Sequence, residues 1–161
     1  MAEPSYISDM RRRRHGQAWV ALALSLGAHV ADEAANDFLE VYNPAVAAIR
    51  ARVPWLPLPV FTFDVWLAGL IAAVALLLWL SIFVFRGHRW TLRASYPLGV
   101  LMLLNGLGHF AGSLYLGRPM PGVWSSPLLV TAAVWLMIEA RRRARQPLGA
   151  EEREEEQRRG E

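Results

Sequence analysis

Six of the twelve residues from His29 to Glu40 can bind a metal, move a proton or exchange hydrogen bonds: His29, Asp32, Glu33, Asn36, Asp37 and Glu40. On one continuous helix, Glu33, Asn36 and Glu40 would fall within about 40° of His29. Asp32 would lie roughly 60° to the other side and Asp37 about 80° away. A second polar element is Asn105-Gly106-Leu107-Gly108-His109, whose Asn105 and His109 are one helical turn apart on one face.

Two chemistries suit these residues. In the first, His29, Glu33 and His109 ligate a divalent metal such as zinc, backed by Asp32, Asn36 or Asn105. Three nitrogen and oxygen ligands with an open position make a hydrolytic zinc site. In the second no metal binds, and Glu33, with His29 or His109, moves protons on a lipid-soluble substrate. Glu33, Asp32 and Asn105 are the candidate catalytic groups. Two blander readings stand beside these. The polar groups could be interhelical hydrogen-bond partners worth about 1 kcal/mol each, or the acidic face could be a solvated extension beyond Ala31. Asp32 and Glu33 near mid-membrane would each cost around 3 kcal/mol on insertion scales, so keeping them there calls for a partner or a function.

The elements that must position these groups are read from the apolar runs. Of 161 residues, 54% are hydrophobic. Val65–Phe85 and Ala94–Leu116 contain no charged residue, and each is long enough to cross a bilayer core of about 30 Å. The spacing predicts an all-α, four-helix transmembrane bundle with helices at about 17–40, 61–85, 94–116 and 123–140. It divides the chain into an N-terminal segment 1–16, the helical domain 17–146 and a disordered charged tail 147–161. Residues 1–10 are expected to be loose. Asn43 and Pro44 read as a helix start, so 45–52 is expected to be a short helix in the membrane interface. Pro54 to Pro59 should run extended, and Ser126-Pro127 reads as cap and first helical residue. Gly108 and Gly112 form a G-x-x-x-G pair suited to close helix packing. Counted from the helix starts at about 1.5 Å per residue, Glu33 and His109 lie at similar depth in the outer half of the bilayer.

All 17 basic residues are Arg, and the chain has no cysteine, which removes disulfides and thiolate metal sites. Four Arg at 11–14, three at 86–93 and four at 141–145 face only Arg50, Arg52 and Arg118. By the positive-inside rule both termini are cytoplasmic. The excess positive charge therefore reads as topology, with membrane lipids and a lipophilic substrate as partners and no nucleic acid. A transport path is disfavoured, because the cytoplasmic half of the first and third spans offers only Ser25, Ser95 and Tyr96.

His29-Val30-Ala31-Asp32-Glu33, the Asn105-to-His109 element and Pro121-Gly122-Val123-Trp124-Ser125-Ser126 together resemble the HXXEE-domain family of bacterial membrane proteins. The resemblance covers most of residues 19–138. It implies a multi-pass membrane location and carries His29 and Glu33 directly. Asp32 stands where the family's first Glu would be, one methylene shorter. The family brings no activity with it. The sequence therefore points to a membrane-embedded enzyme, a metal-dependent hydrolase or similar. A metal-free isomerase-like or lipid-binding site, or a structural protein without catalysis, is the alternative.

Overall fold

A computed structural model describes residues 4–145, and the predicted disordered tail at 147–161 lies outside them. The described residues form five helices: α1 (Pro4–Ala35), α2 (Phe38–Arg52), α3 (Phe63–Phe85), α4 (Trp90–Leu116) and α5 (Ser126–Ala144). No strand occurs among them.

The centre of the packing is α1, which lies between α3 and α5, while α5 also packs along α4. Trp19, Leu22, Leu26 and Val30 of α1 meet Val84, Met102, Leu129, Ala133 and Leu136 in one buried cluster. The Trp19 indole donates to the Leu77 carbonyl at 2.9 Å, and Gly16 lies against the Phe85 ring. These contacts set α1 antiparallel to α3 over most of their length.

By length and composition, α3 and α4 can each cross a membrane. The 23 residues of α3 span roughly 34 Å as helix. This helix leaves Val65, Ile71, Leu76, Trp79 and Ile82 exposed, so it is not the buried core helix of a water-soluble domain.

Several boundaries differ from the sequence expectation. The N-terminal segment is helical from Pro4 onward, where residues 1–10 were expected to be loose. The first helix ends at Ala35 and not at Glu40. Asn36 turns its side chain back on the preceding turn, donating to the Asp32 carbonyl at 2.7 Å and to Asp32 Oδ1 at 2.9 Å. Asp37 then takes a left-handed conformation, φ 55°, which Asp tolerates better than most residues. Asn36, Asp37 and Glu40 are consequently exposed. The short helix expected at 45–52 starts at Phe38, with Pro44 inside it, so Asn43 is no cap. Its amide instead donates to the Phe61 carbonyl at 2.9 Å and accepts from the Phe61 N–H at 3.1 Å, pinning the extended segment between α2 and α3. The last helix is capped by Ser125, with Pro127 in its first turn, one residue off the expected cap.

The glycine pair that brings helices together is also a different one. A Cβ on Gly108 would meet nothing, and one on Gly112 would meet only the Met120 side chain. Gly99 and Gly106 instead lie against α5, where a Cβ would come 3.4 Å from the Ala133 carbonyl and 3.3 Å from the Ser126 carbonyl. Seven residues are two turns of helix, so both glycines fall on the same face.

Candidate metal centre

His29 and Glu33 stand one turn apart near the end of α1, and His109 faces them from α4. All three are buried, at 0%, 4% and 3% exposure. Their ligand atoms form a triangle. His29 Nε2 lies 3.2 Å from His109 Nε2, and Glu33 Oε1 lies 3.1 Å from His109 Nε2 and 3.5 Å from His29 Nε2. Donors at about 2.0–2.1 Å from a tetrahedral zinc would stand roughly 3.3–3.4 Å apart. The triangle has that size.

The outer ring nitrogens decide which protons can lie inside it. His109 Nδ1 is 2.6 Å from the Pro121 carbonyl, which only accepts, so Nδ1 carries the proton. His29 Nδ1 is 2.9 Å from Ser125 Oγ. That hydroxyl donates to Asp32 Oδ2 at 2.7 Å, and the Ser125 N–H donates to the same oxygen at 2.9 Å. With Asn36 donating to the other oxygen, Asp32 is surrounded by donors and acts as acceptor. The single Ser125 proton goes to Asp32, so Ser125 accepts from His29 Nδ1–H. With both rings neutral, each turns a bare Nε2 lone pair toward a carboxylate oxygen, and three acceptors then converge without a donor among them, which is costly in a buried site. Either one cation or one proton held on an Nε2 and shared with Glu33 cancels that cost. Histidines that donate their outer N–H to a carbonyl or a carboxylate-linked group are the usual second shell of a metal site.

The backbone makes room for this geometry at Gly122. It has φ 87°, and a Cβ there would come 2.7 Å from His109 Cε1 and 2.9 Å from Glu33 Cγ. The tight Pro121–Ser125 turn carries the carbonyl for His109 and the hydroxyl for His29 on one short segment. The Gly122 carbonyl also accepts from Ser126 Oγ at 2.7 Å, fastening the turn to α5.

Comparison with protein-family models, characterised proteins and solved structures finds no match. What the site does must therefore be argued from its own atoms.

Of the residues picked out by sequence, His29, Glu33 and His109 come together, with Asp32 behind them. Asn105 does not join them. It is half-buried one turn away and makes no hydrogen bond to the centre, because Pro121 holds one nitrogen of His109 and Glu33 and His29 face the other. Asn36 supports Asp32 and does not reach the ligands. Sequence reasoning assigned no role to Ser125, the Pro121 carbonyl, Gly122 or Phe38. Phe38 packs on the His109 ring at 5.6 Å and on Trp66 at 5.8 Å. It also lines a cavity of about 250 Å³ shared with Asp37, Leu39, Glu40, Phe63 and Trp66.

Proposed function

We propose that this chain is a multi-pass membrane protein of the HXXEE-like kind. On this reading, His29, Glu33 and His109 hold a divalent metal, and the site hydrolyses a lipophilic substrate at the outer side of the bundle. The observation that carries the metal reading is the inward-facing pair of Nε2 atoms at zinc-like spacing from Glu33, with each outer nitrogen already engaged by Pro121 or Ser125. A divalent ion there would serve as a Lewis acid toward water or a substrate carbonyl. The chain's own residues would do the rest. Asp32 and Ser125 keep His29 in the ligating tautomer, and Pro121 does the same for His109. The charges of Glu33 and Asp32 would together balance a dication, which a buried site favours.

Four spans are supported by packing. If α3 crosses the membrane, α1 lies at the same depth, since its Gly16 meets Phe85 near one end of α3 and its Gly27 meets Val74 near the middle. The same argument carries α5 along α4 through Gly99 and Gly106. Lipophilic substrates follow from the location. The aromatic cavity at Phe38, whose ring packs on His109, would admit an apolar group from the bilayer.

The test uses full-length protein purified in detergent without chelator. Elemental analysis should find about one divalent ion per chain, lost in Glu33→Gln with helical content unchanged. Hydrolysis of a p-nitrophenyl fatty ester should be abolished by chelator, restored by zinc, and reduced roughly 100-fold or more in Glu33→Gln. A folded wild-type protein that stays metal-free when zinc is supplied would sink the metal reading. The shared-proton chemistry of Glu33 and the two histidines would then take its place.

A further inference from the structure

At the opposite end of the bundle, α1 and α5 enclose a second cavity, of about 550 Å³, lined by Met10, Arg11, Arg14, Glu139, Arg142 and Arg145. Four guanidiniums against one carboxylate leave an excess of three positive charges around one space. The geometry is organised from below. Glu139 is buried at 3% exposure and holds Arg142 through a 2.8 Å ion pair. Arg11 donates to the Arg142 carbonyl at 3.1 Å, tying the two helices together across the floor. Arg14 and Arg145 have no acidic partner among the described residues, whereas neighbouring Arg12 is paired with Asp9 at 2.8 Å.

We propose that this cavity is a phosphate-binding site for an anionic ligand at the cytoplasmic membrane surface. Guanidinium forks match phosphate oxygens two at a time, and several around one cavity suit a group with three or four such oxygens better than a single carboxylate. The Arg distribution places this end in the cytoplasmic headgroup layer, where anionic phospholipids are concentrated and basic pockets between helices hold their headgroups. Met10 supplies an apolar wall on the same rim. The site is separate from the His29 centre; it rests on the proposed membrane orientation and not on the metal.

Full-length protein in maltoside detergent is titrated with dioctanoyl phosphatidylglycerol, dioctanoyl phosphatidylcholine and inorganic phosphate, following the thermal shift. Phosphatidylglycerol should raise the melting temperature saturably and phosphatidylcholine should not. A matching shift with inorganic phosphate would show that the phosphate group alone is recognised; a shift with the lipid only would assign the site to headgroups. Arg14→Gln with Arg145→Gln should weaken binding roughly 10–30-fold. Arg89→Gln with Arg93→Gln removes two exposed charges elsewhere on the same face and should leave binding unchanged. Both double variants alter exposed side chains, and an unchanged ligand-free melting temperature confirms their fold. Equal weakening by the two pairs would overturn the proposal, because the effect would then be diffuse charge. So would the absence of any anion-dependent shift.

Discussion

At the scale of single residues, what the structure adds is the engagement of both outer histidine nitrogens around Glu33. The convergence of His29, Glu33 and His109 was legible in the sequence because His29 and Glu33 share a helix face and His109 falls at matching depth. The residues that fix the tautomers were not. Ser125 and the Pro121 carbonyl act through a turn whose conformation depends on Gly122, and no periodicity announces a turn of that kind. Asn105 misled for the opposite reason: one-turn spacing from His109 is a genuine helical neighbourhood, but the ring had no nitrogen left to offer. Two substitutions separate holding from ligating. Ser125→Ala keeps His29, Glu33 and His109 in place and removes the acceptor for His29 Nδ1–H together with the hydroxyl donor to Asp32, so zinc affinity should fall about 10–100-fold with the fold intact. Gly122→Ala forces a Cβ into His109 and Glu33 and strains a left-handed residue. It should abolish stoichiometric metal and lower stability together. Metal titration beside thermal melting distinguishes the two, and a Ser125→Ala protein that binds zinc like wild type would remove Ser125 from the site.

At the scale of elements, helix existence was readable and helix ends were not. The two long uncharged runs became α3 and α4 because an apolar stretch of that length has few other solutions. The break after α1 went unrecognised because Asn36 and Asp37 look like continuing polar face until Asn36 folds back on Asp32. Close packing of α4 against a neighbour was expected at Gly108 and Gly112, whose spacing fits the familiar pattern; Gly99 and Gly106 face α5 instead. A third contact joins elements through His15, in the N-terminal segment 1–16 that the sequence set apart from the helical domain. His15 is fully buried on α1. Its Nε2 lies 2.8 Å from Ser95 Oγ, which itself donates to the Thr91 carbonyl at 2.8 Å. His15 therefore donates from Nε2, and Arg143 NH1 stands 3.3 Å from its bare Nδ1. The contact ties α1, α4 and α5 and requires a neutral ring. Burial first, and then the Arg143 charge, push the His15 pKa down from 6.5 to about 4. Between those values the unfolded chain binds the proton and the folded one does not, so stability falls as pH drops from 6.5 toward 4 and is fully present above that window. His15→Gln can make both hydrogen bonds without titrating. Melting temperature in detergent should therefore decline less steeply between pH 7 and 5 in His15→Gln than in the wild type. Identical slopes would show that His15 does not contribute to acid sensitivity.

At the scale of the whole molecule, the two ends of the bundle carry opposite kinds of polarity. One end encloses the His29, Glu33 and His109 triangle beneath a turn, with aromatic rings toward the lipid. The other gathers eleven Arg from the segments 11–14, 86–93 and 141–145. An Arg-rich end resists translocation, so the proposed orientation keeps it in the cytoplasm and sets the His29 centre toward the far side. On that proposal, α1 packed along α3 and α5 along α4 would cross as pairs. Spanning by α3 and α4 alone would require two helices buried against them to leave the membrane. The absence of cysteine makes this orientation measurable one residue at a time. Arg13, Arg52, Arg89 and Arg118 are all exposed, and each can be replaced singly by cysteine in an otherwise thiol-free chain. A membrane-impermeant maleimide applied to intact cells should label Arg52→Cys and Arg118→Cys. Arg13→Cys and Arg89→Cys should react only after the membrane is opened. Labelling of Arg13→Cys and Arg89→Cys from opposite sides would mean that α1 and α3 do not cross as an antiparallel pair. The centre could then not lie at the outer face.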